Sequence, residues 1–453
     1  MLAVVKNQPP PAIVYRMMAA LTAVVIRAHV GTNLGLLHVL WAMVSGQLLP
    51  SRGALLPALQ SSGLSDAEVR HAWQASCNGA WQINKLIDGH VAWVKANSDW
   101  RAREHGGYRV IAGDMVGFYR PKLQGCETKH YHPIAGQALP AIELGMIAEI
   151  GHIGAQRLPV LNQIVRMPEG HTDHRSLRKA VIQALRSNQQ ADEVNVADAE
   201  FGAAEMLRAG DGFFVVRGDK NATFRRADPP EYAGHGRPPT RPTVVRPLPR
   251  KHKSHDIPAD LPDRQESWHL DDGRVVQVNI WSKVFLPDSV LTPDERADPA
   301  KAQSLLKTPL TALVISHPDF DHPMLLVTNM NQAPVRTIQA IYPDRWPIEI
   351  LPLSAKHMIG AHRQFVYAPE HTQRLPELAL LAGNILSCVA ATAQPVATGF
   401  WDRLPKATPG RLRRVLSKVA FPRYVPLPAQ LCKKNSVFQH LPFGSAARLA
   451  LSG

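Results

Sequence analysis

The sequence predicts a mixed α/β fold, and three observations lead there. The first hundred residues carry short helical periods, and four apolar runs of strand length come after them, "YRVIAGD", "PAIELGMIAEI", "EVNVAD" and "DGFFVVRG". Between the last two lies "AEFGAAEMLRAG", which reads as a helix closed by Gly210. Strands first, then helix and strand in alternation, describe a layered α/β core.

Taken in order, "LLHVLWAMVSGQLL", "SRGALLPALQ" and "LSDAEVRHAWQASCNGAWQINKLI" are helices parted by Ser-Gly breaks, with Ser65 placed to cap the third. They suit a compact helical DNA-binding module; a helical packing or dimerisation domain is the plainer alternative. The run "IVYRMMAALTAVVIRAHVGTNLGLLHVLWAMVSG" is apolar, but Arg16, Arg27 and His29 interrupt it short of the roughly 20 residues that a bilayer crossing needs. Neither a membrane span nor a cleavable signal is expected. Within the strand-rich stretch, "HRSLRKAVIQALRS" has helical spacing.

From about 225 to 266 the chain turns rich in Pro and basic residues, which opposes regular structure. "RVVQVNIW", "TALVIS" and "MLLVTNM" then read as strands of an inserted, β-rich segment. Helices return past 333, "ELALLAGNILSCVAATA" the clearest, and the basic runs "RLRRVLSK" and "CKKN" mark the last part. The expected organisation is a helical domain over 1–100, a core over 101–220 and 333–395, an insertion over 221–332 and a basic extension over 396–453.

Composition narrows the function. Lys and Arg number 51 against 37 Asp and Glu, a net charge of +14 with pI ≈ 9.8, which points to a polyanionic partner, nucleic acid first. A hydrophobic content of 45% excludes a disordered basic tail. The 4 cysteines show no C-x2-C spacing, so neither a zinc module nor a disulfide framework is indicated, and a reducing cytoplasm fits.

Three acids stand where burial is expected: Asp114 in "VIAGDMVGF", Asp198 closing "EVNVAD", and Glu349 in "YPDRWPIEILPLSAK". A buried carboxylate is costly unless it is hydrogen-bonded or holds a cation, so three together suggest a shared ion, and hard oxygen ligands suit Mg²⁺ or Mn²⁺. Singly, Asp198 reads equally as the N-cap of a helix beginning at Ala199, and Asp114 as a turn residue. Tyr342, Arg345, Glu349 and Lys356 would share one face of an α-helix. A solvated face with an Arg345–Glu349 pair is the plainer account. Pro347 fits the first helical position, whereas Pro352 removes a hydrogen bond and kinks the helix beyond it. In "SHPDFDHP", residues His317, Asp319, Asp321 and His322 read as a polar hairpin loop, and the histidines of "KHYHP" as surface or DNA-facing groups.

These residues resemble the insertion-sequence transposases of the DDE superfamily, in the branch marked by Y-x2-R-x3-E-x6-K, over about residues 108 to 392. Tyr342, Arg345, Glu349 and Lys356 match that pattern without a gap. The resemblance implies an RNase H-like mixed-sheet core interrupted by a β-rich insertion, with Asp114 on the first strand, Asp198 just after the fourth and Glu349 on a later helix. It further implies that these three acids are catalytic and hold two Mg²⁺ ions, with Mn²⁺ able to substitute. Tyr342, Arg345 and Lys356 would bind DNA, and Trp268 and Trp281 are candidates for stacking a flipped base, although core packing is the plainer reading of both. The implied partners are double-stranded DNA, as element terminal repeats and target, and a second copy of the chain on that DNA, in a bacterial cytoplasm. Two alternatives are a Mg²⁺ nuclease without strand transfer and a catalytically silent DNA-binding protein.

Overall fold

The computed structural model describes residues 11–431 apart from 30, 233, 236, 253, 254 and 398; Cys432 and the run "CKKN" lie outside the described residues. Five helices come first: α1 (Pro11–Val25), α2 (Asn33–Val44), α3 (Leu55–Ser61), α4 (Asp66–Asn78) and α5 (Ile83–Asn97). Ser65 caps α4 as its sequence predicts, in a reciprocal box: its hydroxyl accepts from the Glu68 N–H at 3.4 Å, and the Glu68 carboxylate accepts from the Ser65 N–H at 2.7 Å. Next come β1 (Tyr108–Tyr119), the short strand Lys129–His132, β2 (Gln137–Ile153), β3 (Gln156–Arg166), α6 (His174–Ser187), β4 (Glu193–Ala197), α7 (Ala203–Ala209) and β5 (Phe213–Arg217). After them lie β6 (Arg264–His269), β7 (Val275–Val284), β8 (Leu310–Ser316) and β9 (Met324–Thr328), and then the long helix α8 (Pro369–Thr392) and α9 (Pro409–Leu416).

The architecture is mixed α/β, with parallel and antiparallel strand neighbours. The chain divides into two compact units, one of Met1–Arg103, Met115–Leu177 and Trp346–Gly453, the other of Glu104–Asp114 and Arg178–Arg345. The divisions fall after Arg103, inside β1, inside α6 and after Arg345.

In the first unit β2 pairs antiparallel with β3 and with Lys129–His132, and its residues 141–151 are buried without alternation, as in a strand covered on both faces. α2 is apolar all round and correspondingly buried. It packs with α1, α4 and α5 on α8, whose residues from Leu375 to Ala390 are all buried. α8 is long and apolar enough to cross a membrane, but 89% of its apolar window is buried inside the protein, the condition of a core helix. Asn384 ties it down: its amide donates to the Pro159 carbonyl at 2.8 Å and accepts from the Leu161 N–H at 2.9 Å, and its side-chain oxygen lies 2.9 Å from Nε2 of His90. The helices expected to stand apart over 1–100 thus belong to the same unit as α8. The change of period near residue 100 coincides with a passage of the chain into the other unit at Glu104, but the helices before it do not form a unit of their own.

In the second unit the strand order is β1-β4-β5-β9-β8-β7-β6. β1, β4 and β5 are parallel, and β5 through β6 are antiparallel. The segment expected as a separate insertion therefore extends the same sheet, through β9 on β5. Among the described residues its Pro-rich part forms only short ribbons, Phe224–Arg225 with Val244–Val245 and Arg250–His252 with His255–Ile257, as its composition predicts. The hairpin loop expected at 317–323 lies between β8 and β9, with Nδ1 of His317 accepting from the Asp319 N–H at 3.2 Å.

Candidate functional site

The parallel register of β1 and β4 pairs Arg109 with Glu193 and Ala112 with Val196, a constant offset of 193 − 109 = 84. Asp114 and Asp198 are also 198 − 114 = 84 apart, so the same register carried two residues further sets the two acids abreast. Neighbouring strands lie about 4.8 Å apart. β4 and β5 pair Ala197 with Val216, which by the same extension brings Arg217 beside Asp198. Asp198 and Arg217 lie at the carboxyl ends of β4 and β5, where ligands of such sheets bind, and the extended register would bring Asp114 beside them. β1 continues through Asp114 to Tyr119, so this acid is not a turn residue. Asp198 is extended (φ −80°, ψ −171°) and caps the 3₁₀ turn Ala199–Phe201, its Oδ1 accepting from the Glu200 N–H at 3.0 Å. The capping role weighed from sequence is real and engages one carboxylate oxygen.

Two cations and a phenol surround the acids within this unit. A terminal nitrogen of Arg345 lies 3.8 Å from Oδ2 of Asp114. Burial, and then the charge of Glu200, push the Asp198 carboxyl above its usual range, against the pull of Arg345 and Arg217. Tyr342 is 2% exposed, and burial raises its phenol too, opposed by the Arg345 and Arg217 charges and by a hydrogen bond with Arg345. Arg217 was missed from sequence; its signal is an arginine closing a buried apolar strand.

The common α-helical face expected for Tyr342, Arg345, Glu349 and Lys356 does not form. Tyr342–Glu349 is a 3₁₀ helix, Ile350–Leu353 is α, and Ser354–Ile359 is π, ended by Gly360 at φ 94°. At three residues per 3₁₀ turn, Tyr342 and Arg345 align, but the next residue in that row is Ile348, and Glu349 is turned away from it. Pro347 lies inside the 3₁₀ segment rather than opening a helix, and Pro352, which has no N–H to donate, stands two residues before the π turn. Glu349 is exposed, at the end of the 3₁₀ segment. Lys356 extends over two rings of its own unit, its ammonium 5.4 Å from the centre of Phe118 and 5.6 Å from that of Tyr119, and burial lowers its pKa. Asp114, Asp198, Tyr342 and Arg345 are therefore together in one unit, while Glu349 and Lys356 belong to the other.

Trp281 is 1% exposed and its indole N–H donates to the Leu261 carbonyl at 3.0 Å, so it packs in the core, the plainer of its two readings. Trp268 is half-buried on β6, with the Arg336 guanidinium 5.1 Å from its ring centre. His130, read from sequence as a surface or DNA-facing group, instead donates from Nδ1 to the buried Glu143 at 2.8 Å.

No protein-family model matches the chain, and no curated protein matches its sequence.

Proposed function

We propose that this chain is a DDE transposase, which binds the ends of a mobile DNA element and uses Asp114, Asp198 and Glu349 to cut and rejoin phosphodiester bonds. The observation that carries the reading is the parallel register of β1, β4 and β5, which runs toward Asp114, Asp198 and Arg217, with a terminal nitrogen of Arg345 3.8 Å from Asp114. The parallel run β1-β4-β5, with α6 leading into β4, supports an RNase H-like core.

The donor set fits a hard divalent cation. Two carboxylates stand abreast, and Asp198 is held where burial and a like charge disfavour its ionised form, a demand that a cation meets. The reading assigns Asp114, Asp198 and Glu349 to two Mg²⁺ ions, with Mn²⁺ serving in their place; when bound, these would activate an attacking water or 3′-hydroxyl and stabilise the leaving oxygen. Arg345 and Arg217 offer planar forks to the phosphate oxygens beside the acids. Tyr342, kept protonated by burial, donates a hydrogen bond to the same backbone. Lys356 adds a point charge to the DNA grip, and Trp268 remains the candidate for a flipped base. Two copies would act on paired element ends.

The test incubates the full chain with labelled duplexes carrying the element's terminal repeats, a supercoiled target and Mg²⁺. Joined products are expected. Cut ends without joining would favour the nuclease, and binding without cutting would leave only a DNA-binding protein.

A further inference from the structure

We propose that His130, Glu143 and His174 form a binding site for one divalent transition-metal ion of the zinc class. Nothing in the sequence motifs marks it, because the three residues come from different elements. His130 is on the strand Lys129–His132, opposite Leu139 of β2; Glu143 is four residues further along β2 and hence on the same face; His174 opens α6. Both imidazoles aim the same atom at the same oxygen: Nδ1 of His130 at 2.8 Å and Nδ1 of His174 at 2.7 Å from Oε1 of Glu143. The three ligand atoms all lie within 4.8 Å of one another.

Two further observations point to a ligand rather than to a finished hydrogen-bond cluster. Glu143 is 2% exposed, yet its Oε2 is buried with no hydrogen-bond partner. A buried carboxylate oxygen left so is costly, and a metal ion at the carboxylate would relieve it. Its ionic partners among the described residues are the two imidazoles, which bring no permanent positive charge. Second, the ring of His130 lies where a side chain on β1 would otherwise be. A Cβ at Gly117 would meet Cβ and Cγ of His130 at 2.5 Å, so the glycine keeps a cradle open for this imidazole.

The ligand chemistry selects the ion. Two imidazoles and one carboxylate suit zinc and its first-row neighbours and are poor ligands for Mg²⁺. Tetrahedral bonds of about 2.1 Å place ligand atoms about 3.4 Å apart, so each imidazole nitrogen would draw back from Oε1 by about 0.6 to 0.7 Å on binding. The side chains of His130 and His174 are 22% and 32% exposed, which gives an ion a path from solvent, and three protein ligands leave a fourth position for water.

The experiment titrates the full chain with Co²⁺, read by its visible absorption, and then with Zn²⁺ as competitor, in excess Mg²⁺ throughout. One Co²⁺ per chain is expected, displaced by Zn²⁺ and not by Mg²⁺. Glu143→Gln and His174→Ala should each weaken it at least about tenfold with unchanged circular dichroism. Because either variant alters a buried cluster, the unaltered chain supplies a separate reading: with one equivalent of Cu²⁺, pulsed electron paramagnetic resonance should detect two imidazole nitrogens. The proposal is overturned by an absence of saturable Co²⁺ binding, by displacement with Mg²⁺, by unchanged affinity in either folded variant, or by fewer than two coordinated imidazoles. DNA cleavage enters none of these readouts, so the result stands apart from the transposase reading.

Discussion

Asp198 and Glu143 are both sheet-borne carboxylates that burial pushes upward, yet Asp198 remains above the usual carboxyl range while Glu143 ends below it. The difference lies in how each meets positive partners. Asp198 accepts one backbone N–H, feels the guanidinium groups of Arg345 and Arg217, and has Glu200 as a like-charged neighbour. Glu143 accepts two imidazole N–H groups in direct contact, and these more than reverse its desolvation. Directed donors at hydrogen-bond distance outweigh charges acting from farther away. Asp198 is half-buried and meets no such pair of donors, whereas Glu143 meets both of its donors through Oε1 and leaves Oε2 without a partner.

On the proposed transposase reading, the largest effect is on strand cleavage. Asp114→Asn, Asp198→Asn and Glu349→Gln should each reduce strand cleavage at least about a hundredfold, measured on labelled element ends, while salt-dependent DNA binding is retained. Cleavage at the normal rate by any one of them removes that residue from the assignment.

Stability should move in opposite directions at the two acids. Asp198→Asn keeps the capping oxygen and removes a disfavoured charge, so its melting temperature should equal or exceed that of the unaltered chain near pH 7. Glu143→Gln removes a favoured charge and should cost about 1 to 3 kcal/mol, read by thermal or urea unfolding. Proton linkage gives the sign. The Glu143 carboxyl is depressed in the folded chain, so its contribution is full above the ordinary carboxyl pKa and is lost as pH falls through the depressed value. The Asp198 carboxyl is raised, so its penalty is full above the raised value and relieved as pH falls through it toward the ordinary one. Both variants should therefore converge on the unaltered chain in acid; parallel melting curves across pH would contradict the contrast.

Gly117→Ala should act on the histidine side alone. The added methyl must displace His130 from Glu143, at a cost of about 1 to 3 kcal/mol in unfolding measurements, and metal affinity should fall with it. The smallest effect is expected at Arg217→Gln: DNA binding weakens modestly across sequences, and the slope of log affinity against log salt falls by about one.

Much of the scaffold was legible because its signals are local. "HRSLRKAVIQALRS" is α6, the buried runs "EVNVAD" and "DGFFVVRG" hold β4 and β5, and Ser65 caps α4. The helix read in "AEFGAAEMLRAG" is broken at Gly202, whose φ of 46° separates the 3₁₀ turn from α7. Asp114 and Asp198 stood out because each adjoins or lies within an unmistakable strand; the parallel register that runs toward both is encoded by no single segment. Arg217 was passed over for the same reason, and so was the His130, Glu143 and His174 cluster, whose members sit at no motif spacing. The reading of 342–356 as a helix kinked at Pro352 fell short because Pro343, which it left out, joins Pro347 and Pro352 in depriving the backbone of donors at intervals that an α ladder does not tolerate.

That segment tightens and then loosens within eighteen residues, from 3₁₀ at Tyr342 to π at Ile359. A π turn holds one residue more than the α turn it replaces. Deleting one residue between Ser354 and Ile359 should therefore let the chain wind as an ordinary helix, swinging the side chains beyond the deletion by roughly 100° relative to those before it. The spacing Y-x2-R-x3-E-x6-K is in this sense an instruction about winding as much as about chemistry, since the azimuth of Lys356 depends on the count of residues that precede it.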